Sequence, residues 1–208
     1  MQTIAIISQK GGTGKTTLAL NLAVAAELDG RSSVIIDLDP QASAKAWHDS
    51  REAEAPIVVS AQAARLPEIL ETSKQHGAEF ILIDTAPHSE SSALAAARVA
   101  DLVLIPCRPG ILDLRAIASS ADICALAKVN AAVILNSVPP KGSLTSEAEE
   151  AVRNYGLPTV PVQIGHRMAF VHSLTAGQAV LEFESTGKAV EEIKSLYKWA
   201  CQHANMKA

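Results

Sequence analysis

Aromatic residues make up only 3% of this 208-residue sequence, so its interior has to be filled by small aliphatic side chains rather than by rings. Cysteine is equally sparse. Cys107, Cys124 and Cys201 are widely separated and odd in number, which argues against a disulfide framework and a Cys-x-x-Cys metal site. A reducing cytoplasm suits them. Neither sign of charge dominates: 18 Lys and Arg against 22 Asp and Glu leave a formal charge of −4, so no strong global field draws the chain to nucleic acid or anionic lipid, although a local patch stays open. No uninterrupted apolar run approaches the length of a membrane span. Met1 to Ser8 lacks the basic opening of a secretory signal, and the first long helical pattern contains Asn21, Glu27 and Asp29. No Pro/Gly/Ser linker and no repeat divides the chain, so one domain over residues 1–208 is expected.

What is present is a hydrophobic fraction of 48%, much of it Ala, Val, Ile and Leu, arranged in short runs that alternate with helical patterns. Strands are predicted at Thr3 to Ile7, Ser33 to Ile36, Ile57 to Val59, Phe80 to Ile83, Leu102 to Ile105, Ala131 to Leu135 and Thr159 to Val162. Between and after them, helices are predicted at Lys15 to Leu28, Ala42 to Ala55, Leu66 to His76, Ser89 to Ala100, Leu112 to Lys128, Ser143 to Tyr155 and Gly187 to Cys201. The last puts Val190, Ile193, Tyr197 and Ala200 on one face. This alternation specifies an α/β fold, a mostly parallel central sheet with helices on both faces, and puts ligands at the carboxyl ends of the strands.

The first strand leads into Gln9-Lys-Gly-Gly-Thr-Gly-Lys-Thr-Thr17, which opens the first helix. Gly11, Gly12 and Gly14 allow the backbone to approach a ligand closely, with the amides of Thr13 and its neighbours turned toward phosphate oxygens. The helix start at Lys15, Thr16 and Thr17 adds unpaired N–H groups and a favourable dipole. Lys15 has the reach for β/γ-phosphates, and the Thr16 hydroxyl suits Mg²⁺. Gln9 stands where the usual phosphate-loop motif has glycine, and Lys10 is an extra cation, with a solvated side chain as the alternative reading of its residue type.

Carboxylates follow two of the strands. Asp37 and Asp39 face the same side if the backbone stays extended, the first suited to a metal-water shell and the second to orienting an attacking water, with helix capping as the plain alternative. Asp84, at the end of Phe80-Ile-Leu-Ile, is placed to hold Mg²⁺, or else caps its strand. Asn136 offers a donor and an acceptor to a purine edge, or simply forms a turn.

Together, Lys10-Gly-Gly-Thr-Gly-Lys15-Thr, Asp37-Leu-Asp-Pro-Gln41 and Asp84-Thr-Ala-Pro87 resemble the deviant Walker A, A′ and Walker B motifs of ParA/MinD-type ATPases, with Ala86 where another proline is frequent. The resemblance implies a P-loop NTPase fold and hydrolysis of ATP with Mg²⁺. It implies that Lys10 reaches the nucleotide of the opposite subunit, Lys15 the phosphates in cis, and that Asp39 positions water. It further implies a base pocket formed by Asn136 and residues around Pro161. The absence of Asn-Lys-x-Asp favours adenine over guanine. Within the family, the likeness is greatest to small ParA-type plasmid or chromosome partition proteins that lack an N-terminal helix-turn-helix region. The implied partners are a second copy in an ATP-dependent homodimer, nonspecific double-stranded DNA and a ParB-type centromere-binding adaptor, at the nucleoid.

Other relatives remain as alternatives. A MinD-like membrane-positioning protein would carry an amphipathic membrane-targeting tail, and Tyr197 to Ala208 has little large apolar surface for one. Relatives that position protein clusters fit the same motifs, while the iron–sulfur branch would need a bridging cysteine pair. A nucleotide-binding scaffold without hydrolysis is the alternative of a different class. Arg108, Arg115 and Arg167, and the Lys188, Lys194 and Lys198 face, are open to nucleotide, partner, DNA or plain solvent.

Overall fold

The computed structural model describes residues 1–141 and 143–204. Six strands, β1 (Gln2–Ile6), β2 (Ser33–Asp37), β3 (Ile57–Ser60), β4 (Phe80–Asp84), β5 (Leu102–Cys107) and β6 (Ala131–Leu135), form one sheet in the order β3-β2-β4-β1-β5-β6, with every neighbouring pair parallel. Ten α-helices accompany them among the described residues: α1 (Lys15–Leu28), α2 (Ser43–Ser50), α3 (Leu66–Gln75), α4 (Glu90–Val99), α5 (Ile111–Arg115), α6 (Ile117–Ala127), α7 (Leu144–Arg153), α8 (Met168–Thr175), α9 (Val180–Phe183) and α10 (Lys188–His203).

Strand periodicity divides the interior in two. Ile4, Ile6, Ile35, Phe80, Leu82, Leu102, Leu104 and Ile134 point into a core with residues of α1, α9 and α10. Their neighbours Ala5, Val34, Ile36, Ile81, Ile83, Val103, Ile105 and Leu135 point into a second core with α3, α4, α6 and α7. Strands buried on both faces read as unbroken apolar runs, which is why the sequence shows them clearly. The C-terminal helix docks through Val190, Ile193, Leu196, Tyr197 and Ala200, and the Tyr197 ring meets Phe80 edge-on at 5.5 Å. Residues 205–208, part of the stretch weighed for a membrane-targeting tail, lie outside the described residues. Among the described residues no helix is long and apolar enough to cross a membrane.

Four expectations change. Thr159 to Val162 is not a strand: Pro158 and Pro161 lack N–H donors, and the segment makes only an isolated bridge to β6, through Val133 and Thr159, with Val160 donating to the Val133 carbonyl at 2.8 Å. The helix expected from Leu112 to Lys128 is two, α5 and α6, divided at Ala116, whose N–H turns back to the Asp113 carbonyl at 3.1 Å. The helix expected from Ala42 to Ala55 stops at Ser50. Arg51 turns extended, laying its guanidinium over Trp47 at 4.3 Å and binding Glu182 at 2.6 Å. Finally α8 and α9 occupy a stretch where no helix is predicted; α8 buries only Phe170 and Ser173, too little to leave a periodic stripe.

Candidate functional site

Register brings the acidic strand ends together. Asp37 and Asp84 are direct partners across β2 and β4, and Asp84 is also level with Ile6 at the end of β1. Beyond Ile7, whose N–H still bonds the Leu104 carbonyl at 3.0 Å, the chain loops into α1, and Thr16 in its first turn bonds Asp84. Gly12 and Gly14 have φ of 71° and 94°. At Gly14 glycine is required twice over, since a Cβ would also lie 2.2 Å from Asn136 Nδ2. Gly14 begins α1 without a side-chain cap, no acidic residue occupies the first turn, and the bond from Leu18 to the Gly14 carbonyl closes that turn at 3.0 Å. The amides of the first turn are thereby left free for an anion. Gly11, Gly12 and Gly14 border this opening, with Gly11 and Gly12 exposed and Thr13 buried.

Lys15 is buried and extends back along the loop, its Nζ donating to the Lys10 carbonyl at 3.4 Å. Burial lowers the pKa of its ammonium, against the opposing pull of Asp84 and Asp39. Thr16 Oγ1 donates to Asp84 Oδ2 at 2.6 Å, while Asp84 Oδ1 is buried and has no hydrogen-bond partner among the described residues. Burial pushes the Asp84 carboxyl up to about 7, the nearby Asp37 and Asp39 charges adding to the effect and the Thr16 bond and Lys15 opposing it. An unpaired carboxylate oxygen beside a hydroxyl is a donor set that fits Mg²⁺, a hard cation that takes oxygen ligands.

Asp37 is buried and spent differently from Asp84. Its Oδ1 accepts the Asp39 N–H at 3.0 Å, and its Oδ2 accepts those of Ala44 and Lys45 at 3.1 and 3.3 Å, so it caps α2. Capping, the plain alternative in the sequence, describes these contacts. Burial raises its pKa, with the three backbone donors opposing. Asp39 is half-buried; its Oδ1 accepts the Gln41 N–H in a local turn at 2.9 Å, and its charge acts on Lys15.

Lys10 is held within its own subunit: Nζ donates to Asp113 Oδ2 at 2.7 Å, and Arg108 Nε donates to Asp113 Oδ1 at 3.0 Å. Asn136 Nδ2 donates to the Thr13 carbonyl at 2.6 Å and its Oδ1 accepts the Ser137 N–H at 2.9 Å, so the side chain braces the loop. An adenine contact would require these bonds to be exchanged. Pro161 is exposed on the segment beside β6. Thr17 is half-buried and its carbonyl accepts Asn21 Nδ2 at 2.8 Å. Arg167 is no free cation, being paired with Glu192 on α10.

Sequence reasoning missed three contributors. Asp113 was visible only as an acid near an arginine, because its partner Lys10 is 103 residues away. Thr85 is buried, and its hydroxyl donates to the Ile6 carbonyl at 2.9 Å, tying the two strand ends under the loop. Asn21 is fully buried in α1 and accepts the Val180 N–H at 2.9 Å, joining the phosphate helix to α9. A polar residue inside an apolar helical pattern was the available signal for Asn21; nothing marked its partner.

Residues 4–180 match the family model described as the CobQ/CobB/MinD/ParA nucleotide binding domain. The chain is 27% identical over 205 residues to maintenance of carboxysome distribution protein A of Halothiobacillus neapolitanus, covering 93% of this chain and 94% of that protein. A shorter stretch of 127 residues is 31% identical to protein ParA of Rhizobium radiobacter, covering 60% of this chain and 57% of that one. Among solved structures, the septum site-determining protein MinD of Pyrococcus horikoshii OT3, complexed with Mg-ADP, superposes with a TM-score of 0.79 at 20% identity, over 100% of this chain and 98% of that one.

Proposed function

Because this chain belongs to the CobQ/CobB/MinD/ParA nucleotide-binding family, we propose that it is a positioning ATPase, in which ATP closes a homodimer on DNA and hydrolysis releases it. The observation that carries this is the unpartnered Asp84 Oδ1 beside the Thr16 hydroxyl, under the buried Lys15 and the free amides of α1. Thr16 and Asp84 would hold Mg²⁺, while Asp37, its oxygens engaged by backbone N–H groups, would act on the water shell through its charge; the ion would supply charge neutralisation to the phosphates. The chain's own groups do the rest. Amides from Gly11 to Thr17 seat the phosphate oxygens, Lys15 offsets developing negative charge, and Asp39 orients the attacking water. Lys10 contributes across the dimer to the partner's nucleotide. Asn136 and the Pro161 segment border the base, with Asn136 released from Thr13 when adenine binds.

The cargo is a protein assembly rather than a plasmid. Likeness to the carboxysome distribution protein runs along nearly the whole of both chains, whereas likeness to ParA covers just over half of each. A cargo-bound adaptor then stimulates hydrolysis. DNA partition with a ParB-type adaptor is the second reading, supported by the ParA match.

The decisive experiment is DNA co-sedimentation with MgATP, MgADP and no nucleotide, paired with single-turnover phosphate release. ATP-selective DNA binding and slow release are expected. Equal DNA binding in all three states with no phosphate released would leave a non-hydrolysing scaffold instead.

A further inference from the structure

Lys10 has to leave one partner to serve another, and its present partner is unusually well provided for. The Asp113 side chain is only 10% exposed and carries a cation on each oxygen, Lys10 on Oδ2 and Arg108 on Oδ1. A carboxylate that loses its single cation while buried is left as an uncompensated charge, which is strongly unfavourable. With two cations, one can go. We propose that Asp113 is the resting seat of Lys10 and that Arg108 is the positioning residue that allows Lys10 to vacate it, by keeping Asp113 paired when Lys10 swings to the nucleotide of a second copy. This rests on the dimer reading above for where Lys10 goes, but not for where it rests.

Three features of the site support the assignment. The Arg108 side chain is 41% exposed, and Lys10 is 28% exposed, so both cations can rearrange at the surface while Asp113 cannot. Asp113 is fixed on α5, whose first turn is pinned by its own N–H bond to the Gly110 carbonyl at 2.9 Å. Arg108 sits directly after β5, so it reaches Asp113 from a rigid strand end and does not depend on the phosphate loop for its placement. The loop can therefore change state while the Arg108–Asp113 pair stays formed.

The proposal makes the effects of the two residues opposite in sign and dependent on each other. Removing Arg108 leaves Lys10 as the only cation on Asp113 and should trap it; removing the Asp113 charge should free Lys10 and make Arg108 irrelevant. Arg108→Ala should weaken dimerisation driven by a nonhydrolysable ATP analogue by about three- to thirtyfold, and Asp113→Asn should strengthen it to a similar degree. The double variant should match Asp113→Asn. Arg108→Lys, which keeps the cation, should stay near wild type and guards against a misfolded Arg108→Ala.

Sedimentation velocity gives the dimer arm. A second arm reads the nucleotide-free monomer: the rate at which an amine-acylating reagent modifies Lys10, followed by peptide mass spectrometry, should rise in Asp113→Asn and fall in Arg108→Ala. An Arg108→Ala effect that persists undiminished in the Asp113→Asn background, or Lys10 labelling unchanged by either substitution, would overturn the proposal. If wild type fails to dimerise with the analogue, the function reading falls, and the labelling order still decides the resting seat.

Discussion

Burial and the neighbouring Asp37 and Asp39 charges raise the Asp84 pKa against the Thr16 bond and Lys15, and the balance can be followed with pH. In the unfolded chain its carboxyl ionises near 3.8, whereas in the folded protein it keeps its proton up to about 7. Between those values the folded state binds more protons, so the contribution to stability falls as pH rises, and above about 7 the cost is complete. Asp84→Asn should therefore make the nucleotide-free protein more stable at pH 8, by a few kcal/mol, with the gain shrinking toward pH 4. Urea unfolding of both proteins across that range measures it; a gap independent of pH would contradict the burial argument. The same variant should lose its stabilisation by MgATP. Asp39→Ala, in contrast, should retain nucleotide binding and lose most turnover, and equal single-turnover rates would remove Asp39 from the water-positioning role. The thiols offer a simpler check: burial pushes Cys107 and Cys124 up to about 12. At pH 8 only about one in ten thousand of either is ionised. Iodoacetamide should therefore modify the half-buried Cys201 well before either.

At the scale of elements, the strands and the phosphate loop were legible because their signals are local. A strand buried on two faces is a run of aliphatic residues, and a loop that must admit phosphate shows its glycines in sequence. Asp37, Asp39 and Asp84 were legible as strand ends for the same reason. The elements that escaped depend on distant partners. The helix α9 begins where Asn21 and Glu182 satisfy its first amides, at 2.9 Å to Val180 and 2.7 Å to Ala179, and the end of α2 is fixed by Arg51 reaching Glu182. Asn136 escaped in role rather than place, since its bond to Thr13 joins residues 123 apart. That contact gives a prediction for the loop. Gly14→Ala should cost about 2 kcal/mol or more in thermal unfolding, from a positive φ and a collision with Asn136, and should abolish ATP binding. Adding Asn136→Ala relieves the collision but not the backbone strain, so stability should return only in part. Full recovery would mean that φ at Gly14 does not matter.

For the whole molecule, the site is one-sided. Lys15, Thr16 and Asp84, the proposed phosphate and metal seat, come together within one chain, while Lys10 is committed to Asp113. Lys10→Ala should accordingly leave nucleotide affinity of the monomer within about threefold and lower analogue-driven dimerisation at least tenfold, as seen by sedimentation. Unchanged dimerisation would confine Lys10 to its own subunit. The strand order has a further consequence for how this protein comes into being. The strands β1 and β2 never touch; β4, made some 40 residues after β2 ends, slips between them. A nascent chain that stops short of Phe80 thus holds the phosphate loop and the Asp37 turn on two strands with a gap where their common neighbour belongs. Closing that gap is a long-range event of the kind that slows folding, and it is the same event that delivers Asp84. On the ribosome, the sheet and the ability to bind nucleotide should arrive together, so no half-built chain would sequester ATP.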